Sequence, residues 1–276
     1  MRESTEIEVN IEREVSAAIS NKQFVLHYQP IVDNKEKCVK GFEALVRWQH
    51  PQKGLLYPSN FIQVAESTGL IVPLGRQVLE SACAQLAQWK REGALLRPDF
   101  KININVSPRE LLDTDFLPNL LKTVERHGLE NRNIGIEITE TLLLLNHERA
   151  IKLLMDVRKH GFHLSLDDFG SGYSSLNYLD DLPVDTLKID RAFITKLGRG
   201  VGDHAIVRMI LALAKTLDIG VVAEGVETAT QLERLESMDC HCIQGYYFAQ
   251  PLTSEEATGY LASDQLIFEN TEPLLC

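Results

Sequence analysis

The chain has 276 residues, of which 44% are hydrophobic and 24% charged, and its formal net charge is −11. This composition is ordinary for a globular protein and argues against disorder, and a single α/β barrel of about 250 residues would account for the length. The negative charge disfavours a nucleic-acid polymer or an anionic membrane surface as a non-specific partner. The five cysteines are scattered except for Cys240 and Cys242, whose spacing around His241 does not suit zinc, so we expect free thiols in a reducing cytoplasm.

The first half of the chain alternates predicted helices and strands. The N-terminal segment places Ile11, Val15, Ala18 and Ile19 on one face, which predicts a helix that packs on the domain or continues a linker. The predicted elements are a helix over 1–22, strands over 24–28 and 39–46, helices over 59–66 and 74–91, a strand over 101–106, a helix over 115–127 and a strand over 134–140. Gln29-Pro30 is expected to end the first strand.

The second half continues the same order. The predicted elements are a helix over 147–160, strands over 163–166 and 183–190, a helix ending at 217, a strand over 220–223, a helix over 229–237, a short strand near 242 and a last helix opening at 254. Asp203 is expected to cap the helix that ends at 217. The apolar stretch 205–223 contains Arg208, Lys215 and Asp218, so no membrane span is predicted in this chain.

Polar side chains stand at the carboxyl ends of the predicted strands. They are Asn105, Glu137, Asp167, Asp168, Lys188, Glu224 and Gln244. Another carboxylate, Glu43, lies inside the apolar run GFEALVRW, where burial is costly unless the group is paired or bound to a ligand. The repeated strand and helix order predicts a parallel sheet closed into an eight-stranded barrel, in which functional groups gather at the carboxyl ends of the strands. The shared placement predicts one site.

The densest chemistry lies in HLSLDDFGSGYSSL, residues 163–176. The adjacent carboxylates Asp167 and Asp168 repel each other unless a cation lies between them, and two divalent metals could share one carboxylate and bind the next. Gly170 and Gly172 permit unusual backbone angles, and Ser174 or Ser175 could cap a following helix. The alternative is that the aspartates form only an Asx turn and a helix cap.

Other enzyme classes account less well for these motifs. The triplet DFG at 168–170 occurs in kinases, but no GxGxxG loop and no His-Arg-Asp loop accompany it, and the glycines lack P-loop spacing. A barrel aldolase using Lys188 as a Schiff-base amine would leave the surrounding carboxylates unexplained. Asp180-Asp181, ahead of Leu182-Pro183, reads as an ordinary turn.

Seven short runs occur in a fixed order between about residues 24 and 252: EALVRW from Glu43, NVS from Asn105, EITE from Glu137, DDFGSGYSSL from Asp167, LKID from Leu187, AEGVET from Ala223 and QGYYF from Gln244. Together they resemble the EAL-domain family of cyclic di-GMP phosphodiesterases. The resemblance implies a TIM-like (β/α)8 barrel modified by one antiparallel strand, which the periodicity does not indicate.

The resemblance also implies a site for two Mg²⁺ or Mn²⁺ ions. One ion would be held by Glu43, Asn105, Glu137 and Asp167, and the other by Asp167, Asp168 and Glu224. Oxygen ligands suit such hard cations better than they suit zinc. The ions would activate a water for in-line attack on a phosphodiester of cyclic di-GMP, giving the linear product pGpG.

Four residues are implied as the catalytic group: Lys188, Glu224, Asp190 and Glu227. Lys188 would touch the attacking water or the phosphate, and Asp190 and Glu227 would position it and its neighbours. The resemblance leaves open whether Lys188 or Glu224 is the general base.

The remaining implied roles concern the substrate and one loop. Arg47 would pair with a substrate phosphate, since guanidinium forks match phosphate oxygens, and Gln29 and Gln244 would contact the substrate as well. Glu140 would hold the loop 170–174, so that its loss would disturb metal binding and the pairing of domains. Ser171 stands where the family often has threonine and retains the hydroxyl.

No metal-ligand position is replaced, so an active, metal-dependent phosphodiesterase is the leading hypothesis. The alternative is a catalytically idle receptor that binds the dinucleotide and signals through partners, although such family members usually lack one or more ligands. The expected organisation is an N-terminal helix or linker over 1–22, the EAL barrel over 23–268 and a tail over 269–276. The resemblance further suggests a homodimer formed near the central loop, and a sensory domain if the chain is a fragment.

Overall fold

We describe a computed structural model of the chain over residues 2–94, 97–142, 147–170, 179, 181–197 and 204–263. The predictions made for Ser171, Gly172, Ser174, Ser175, Asp180, Asp203 and the tail 269–276 concern positions outside these residues. None of the helices in the described part combines the length and apolar character needed to cross a bilayer.

The strands and helices follow one another much as the sequence predicts. The strands are β1 (Phe24–Asp33), β2 (Cys38–His50), β3 (Gly54–Leu56), β4 (Lys101–Asn105), β5 (Ile134–Thr139), β6 (His163–Phe169), β7 (Thr186–Ile189), β8 (Gly220–Ala223) and β9 (Cys242–Gln244). The helices of the described residues are α1 (Arg2–Ser20), α2 (Ile62–Thr68), α3 (Ile71–Glu92), α4 (Pro108–Leu111), α5 (Phe116–Arg126), α6 (His147–Lys159), α7 (Arg191–Ile194), α8 (Ala205–Leu217), α9 (Ala229–Glu236) and α10 (Ser254–Ala262).

Eight of these strands close into a barrel. Strands β2 and β4 to β9 run parallel to their neighbours, and β1 closes the barrel by pairing antiparallel with both β2 and β9. Strand β3 only forms a hairpin with β2. The predicted TIM-like (β/α)8 barrel with one antiparallel strand is therefore confirmed.

The first strand does not end at Gln29-Pro30, as the sequence predicted, because β1 continues to Asp33. The backbone N–H of Tyr28 is directed away from β2 and bonds to the carbonyl of Leu252. Alternate residues of a strand direct their N–H groups to the same side, so the missing N–H of Pro30 also faces away from β2. The proline therefore costs no hydrogen bond in the β1–β2 ladder, and the strand runs through it.

The alternation along β4 shows how the barrel separates its core from its site. Ile102 and Ile104 are buried in the main hydrophobic cluster, which the outer helices cover. Asn103, between them, bonds to Glu137 inside the barrel. A second, smaller cluster joins Val15 and Ala18 of α1 to the rest of the fold, which confirms the predicted N-terminal helix and its apolar face.

Candidate metal centre

The ammonium of Lys188 lies at the centre of a buried group of acids. Its Nζ is 2.6 Å from Glu224 Oε1, 2.7 Å from Glu137 Oε2, 3.1 Å from Glu43 Oε2 and 3.4 Å from Asp167 Oδ1. These five side chains come from five elements in chain order: Glu43 from β2, Glu137 from β5, Asp167 from β6, Lys188 from β7, and Glu224 from the residue after β8. The structure thus brings together acids that the sequence places far apart, at the strand ends where the barrel fold predicts a site.

Side-chain amides hold the two innermost glutamates in place. Asn105 Nδ2 donates to Glu43 Oε1 at 2.7 Å, and Gln244 Nε2 donates to Glu43 Oε2 at 2.7 Å. Gln244 Nε2 also donates to Gln29 Oε1 at 3.2 Å, which links two predicted substrate contacts to the acidic group. Because Asn105 directs its amide nitrogen at Glu43, its oxygen is the atom able to bind a cation.

Asn103 is a member of this framework that the sequence interpretation did not single out. Its Nδ2 donates to Glu137 Oε1 at 2.9 Å, so Glu137 is held by Asn103 on one oxygen and by Lys188 on the other. The signal was present in the alternation of KININV, which places Asn103 and Asn105 on the same polar face. What the sequence could not give is the acid that each amide contacts.

The charges of the site are out of balance. Burial raises the pKa of Glu137 well above its ordinary value, and the neighbouring carboxylates add to this effect. Burial likewise raises the pKa of Asp167, and it raises that of Glu224 to about 8. Glu43 differs, since the Lys188 ammonium and the amides of Asn105 and Gln244 outweigh burial and lower its pKa. One ammonium therefore does not compensate four buried acids.

Asp168 adds a further carboxylate at the edge of the group. Its backbone N–H donates to Asp167 Oδ1 at 2.9 Å, and its φ of 55° is a left-handed conformation that aspartate tolerates better than most residues. Burial and the adjacent carboxylates of Asp167 and Asp190 raise its pKa to about 6. This bond joins adjacent residues, whereas an Asx turn bonds a side-chain oxygen to the N–H two residues on, so it is not the turn weighed as the alternative. The same oxygen, Asp167 Oδ1, also lies 3.4 Å from Lys188 Nζ.

The acids form two groups suited to divalent cations. Oxygen atoms of Glu43, Glu137 and Asp167 all lie within 4.8 Å of one another, and so do oxygen atoms of Asp167, Asp168 and Glu224. Asp167 is common to both groups, as the sequence interpretation proposed. Surplus negative charge and an all-oxygen donor set fit hard cations such as Mg²⁺ or Mn²⁺, so the residues fit the implied metals.

Three predicted residues lie around this centre. Asp190 Oδ1 accepts from the backbone N–H of Ala192 and caps α7, and Glu227 Oε1 accepts from Arg191 at 2.6 Å. Within the described residues, no hydrogen bond or ion pair joins either acid to Lys188, so their positioning role stays a prediction. Glu140 Oε1 accepts from the backbone N–H of Gly170 at 2.9 Å, at the start of the loop it was predicted to hold.

Arg47 lies near the mouth of the barrel, at the end of β2. It is 6% exposed, and its Nη1 donates to the carbonyl of Val46 at 2.9 Å. The guanidinium carbon lies 5.0 Å from the centre of the Tyr57 ring. Burial lowers the pKa of Arg47, and Tyr57, Tyr246 and Glu43 oppose this change.

An apolar cavity opens beside the acids. It measures about 260 Å³, and Leu45, Ile62 and Val78 form part of its wall, together with the site residues Asn105 and Glu137. Ser107 and Thr139 add hydroxyl groups to this lining, so the cavity offers both apolar surface and hydrogen-bonding groups.

Comparison with known proteins identifies a family for this arrangement. The family model described as the EAL domain matches residues 12–251. Among curated relatives, the bifunctional diguanylate cyclase/cyclic di-GMP phosphodiesterase MucR of Pseudomonas aeruginosa is 37% identical over 262 residues, which are 95% of this chain and 38% of MucR. The cyclic di-GMP phosphodiesterase NbdA of the same organism is 40% identical over 245 residues, covering 89% of this chain and 31% of NbdA.

Solved structures give the same result. A structure of the MucR phosphodiesterase in complex with c-di-GMP has a TM-score of 0.84 and 39% identity, and the match covers 90% of this chain and 99% of that one. The EAL enzyme Bd1971 with cAMP and cyclic-di-GMP bound has a TM-score of 0.89 and 36% identity, over 94% of this chain and 70% of that one. The chain spans less than half of the length of MucR and NbdA. The extent of the family match and the identity to these relatives show that the chain belongs to the EAL domain family.

Proposed function

We propose that this chain is a metal-dependent phosphodiesterase that hydrolyses cyclic di-GMP to linear pGpG. The observation that carries the proposal is the excess of buried carboxylates over the single ammonium of Lys188, arranged in two groups that share Asp167. Two Mg²⁺ or Mn²⁺ ions bound there would polarise the phosphodiester and lower the pKa of a water. The relatives named for cyclic di-GMP hydrolysis support the choice of substrate.

The chain's own residues have distinct tasks in this proposal. The carboxylates raise the pKa of Lys188 well above its ordinary value despite burial, so Lys188 stays protonated. A protonated Lys188 donates hydrogen bonds and fixes the acids, but it cannot accept a proton. This leaves Glu224 as the candidate general base. Because burial raises its pKa to about 8, Glu224 would accept the proton of the attacking water only once bound cations have lowered that pKa.

Substrate binding is assigned to the neighbouring surfaces. The cavity of about 260 Å³ beside Asn105 and Glu137 would receive a guanine base, with the apolar wall against the faces of the ring and polar lining residues such as Asn105 and Ser107 near its hydrogen-bonding edge. Arg47 would donate to a phosphate oxygen, and Gln29 and Gln244 would contact the substrate from the opposite side of Glu43. Asp190 and Glu227 would order the residues that follow β7 and β8.

The test is hydrolysis by the purified chain. Cyclic di-GMP is incubated with the protein in Mg²⁺, in Mn²⁺ and in EDTA, and the nucleotides are separated by chromatography. We expect pGpG only with a divalent cation, and we expect Asp167→Asn to abolish it because both ligand groups lose a shared carboxylate. The matched control is Glu80→Gln, which neutralises an exposed acid paired with Arg126 and His127 outside the site.

Two outcomes would contradict the proposal in different ways. If the dinucleotide binds but remains intact with either metal, the chain is a receptor. If pGpG forms equally in EDTA, the metal requirement is wrong.

Two further proposals rest on the family resemblance alone. We propose that the chain acts in the bacterial cytoplasm and that it forms a homodimer through the region of the central loop. Light scattering at several protein concentrations tests the second of these, and a constant monomer mass would refute it.

A further inference from the structure

Arg47 is a buried cation without a carboxylate partner. Within the described residues its guanidinium donates one hydrogen bond, to the carbonyl of Val46, and no acid oxygen lies within 4 Å of it. A guanidinium carries five N–H donors, and burying it unpaired is costly. The other donors of Arg47 are therefore left for a ligand, and something other than an ion pair must hold the side chain in position.

The ring of Tyr57 provides that support. The Arg47 guanidinium carbon lies 5.0 Å from the ring centre, within the range of a cation–π contact. Two hydrogen bonds to Asn60 fix the backbone of Tyr57. The Tyr57 N–H donates to Asn60 Oδ1 at 3.2 Å, and the Tyr57 carbonyl accepts from the Asn60 N–H at 2.9 Å. Pro58, the first residue of the following 3₁₀ turn, restricts the backbone further.

Tyr57 has no evident role in the stability of the fold. It is 55% exposed, and it belongs to neither hydrophobic cluster of the described chain. Its hydroxyl has no hydrogen-bond partner among the residues described. Apart from the turn that holds its backbone, the contact that the structure gives this large aromatic side chain is with Arg47.

We propose that Tyr57 is a positioning residue for substrate binding: its ring holds the Arg47 guanidinium so that the free N–H groups meet a phosphate of the cyclic dinucleotide. The inference rests on the proposed function. It assigns to Tyr57 a role in affinity rather than in the chemical step, because Tyr57 contacts Arg47 and none of the acids around Lys188.

The experiment separates affinity from turnover. A cation–π contact to a largely buried guanidinium corresponds to about a 5- to 30-fold change in affinity. Tyr57→Leu should raise KM for cyclic di-GMP by about that factor and change kcat less than about twofold. Tyr57→Phe keeps the ring and should restore KM. Met155→Ala, which shortens another exposed side chain on α6, should leave both constants unchanged.

A double-mutant comparison shows whether Tyr57 acts through Arg47. In an Arg47→Ala background, Tyr57→Leu should change KM less than about twofold, since the group it positions is gone. An equal increase of KM in both backgrounds would overturn the inference, and so would an unchanged KM for Tyr57→Leu in the wild-type background. Thermal unfolding of Tyr57→Leu and Tyr57→Phe should match the wild type, because the ring is exposed.

A binding measurement distinguishes this inference from the proposed function. In EDTA, the dissociation constant for cyclic di-GMP is measured calorimetrically for the wild type, Tyr57→Leu and Tyr57→Phe. If the wild type binds in EDTA but forms no pGpG after Mg²⁺ or Mn²⁺ is added, the proposed activity is wrong, but a weaker affinity of Tyr57→Leu alone still supports the role of Tyr57. If the chain neither binds nor cleaves, both proposals are wrong.

Discussion

Replacing Lys188 with methionine tests whether one ammonium holds the acidic centre together. The side chain is 1% exposed, and four carboxylate oxygens lie 2.6–3.4 Å from its Nζ. Removing one partner of a buried ion pair costs about 3–5 kcal/mol, because the remaining charges are left uncompensated. For a chain of this length we expect the melting temperature in EDTA to fall by roughly 6–20 °C.

Divalent cations should reverse much of this loss. With Lys188 gone, Mg²⁺ or Mn²⁺ supplies the missing positive charge, and a ligand that binds only the folded state stabilises it. Titrating either metal should therefore raise the melting temperature of Lys188→Met more than that of the wild type. Activity should not return with stability, because the hydrogen bonds from the ammonium are lost.

A second lysine inside the barrel provides the control. Lys101 lies at the opposite end, and within the described residues it has no hydrogen bond or ion pair. Burial lowers its pKa, whereas the pKa of Lys188 is raised, so the charge of Lys101 is not stabilised by the fold. Lys101→Met should be neutral or stabilising. The reasoning is refuted if Lys188→Met melts at the wild-type temperature in EDTA, or if both variants lose the same stability.

Two further substitutions test groups near the site. Burial raises the pKa of Glu110 to about 7, so the stability it confers is complete below about pH 4.5 and is lost as the pH rises through 7. The free energy of unfolding of Glu110→Gln, measured with denaturant, should exceed that of the wild type by up to about 3 kcal/mol at pH 8.5 and by much less at pH 5. An equal difference at the two pH values would contradict this. A Cβ at Gly135 would lie 2.0 Å from Asn103 Oδ1, so Gly135→Ala should displace Asn103 from Glu137. We expect the free energy of unfolding to fall by about 2 kcal/mol and hydrolysis of cyclic di-GMP to slow. Gly259→Ala, with open space around its Cβ, is the control, and the same loss there would refute the argument.

The sequence was sufficient to predict where the acids would meet. Glu137, Asp167 and Lys188 follow the alternation of short strands to their carboxyl ends, and a closed parallel barrel brings those ends to one face. The distances of 2.7 and 3.4 Å from Lys188 to these acids show that the side chains do meet, while their roles stay a prediction. This part of the prediction required only the alternation of polar and apolar residues along each strand and the order of strands and helices in the chain.

Other features depend on pairings that no local pattern reveals. An alternating strand reads the same whether its neighbour is parallel or antiparallel, so the direction of β1 follows from its pairing with β9, for example Ile31 opposite Gln244. Pro30 wrongly suggested a strand end. A proline interrupts a strand only where its missing N–H faces a partner strand, and the sequence does not show which side that is. The contact between Tyr57 and Arg47 joins strand β2 to the residue before a 3₁₀ turn. No pattern in the sequence around either residue predicts that the two side chains meet.

The environment of Lys188 also favours one of two chemistries that a lysine in a barrel could serve. A Schiff-base amine must lose its proton to attack a carbonyl, which requires a lowered pKa. Glu137, Glu43 and Glu224 instead raise the pKa of Lys188 well above its ordinary value, and burial alone does not overcome them. Borohydride should therefore trap no carbonyl compound on this side chain. A trapped adduct would mean that the amine can shed its proton among these acids, and the account of Lys188 as a permanent cation would be wrong.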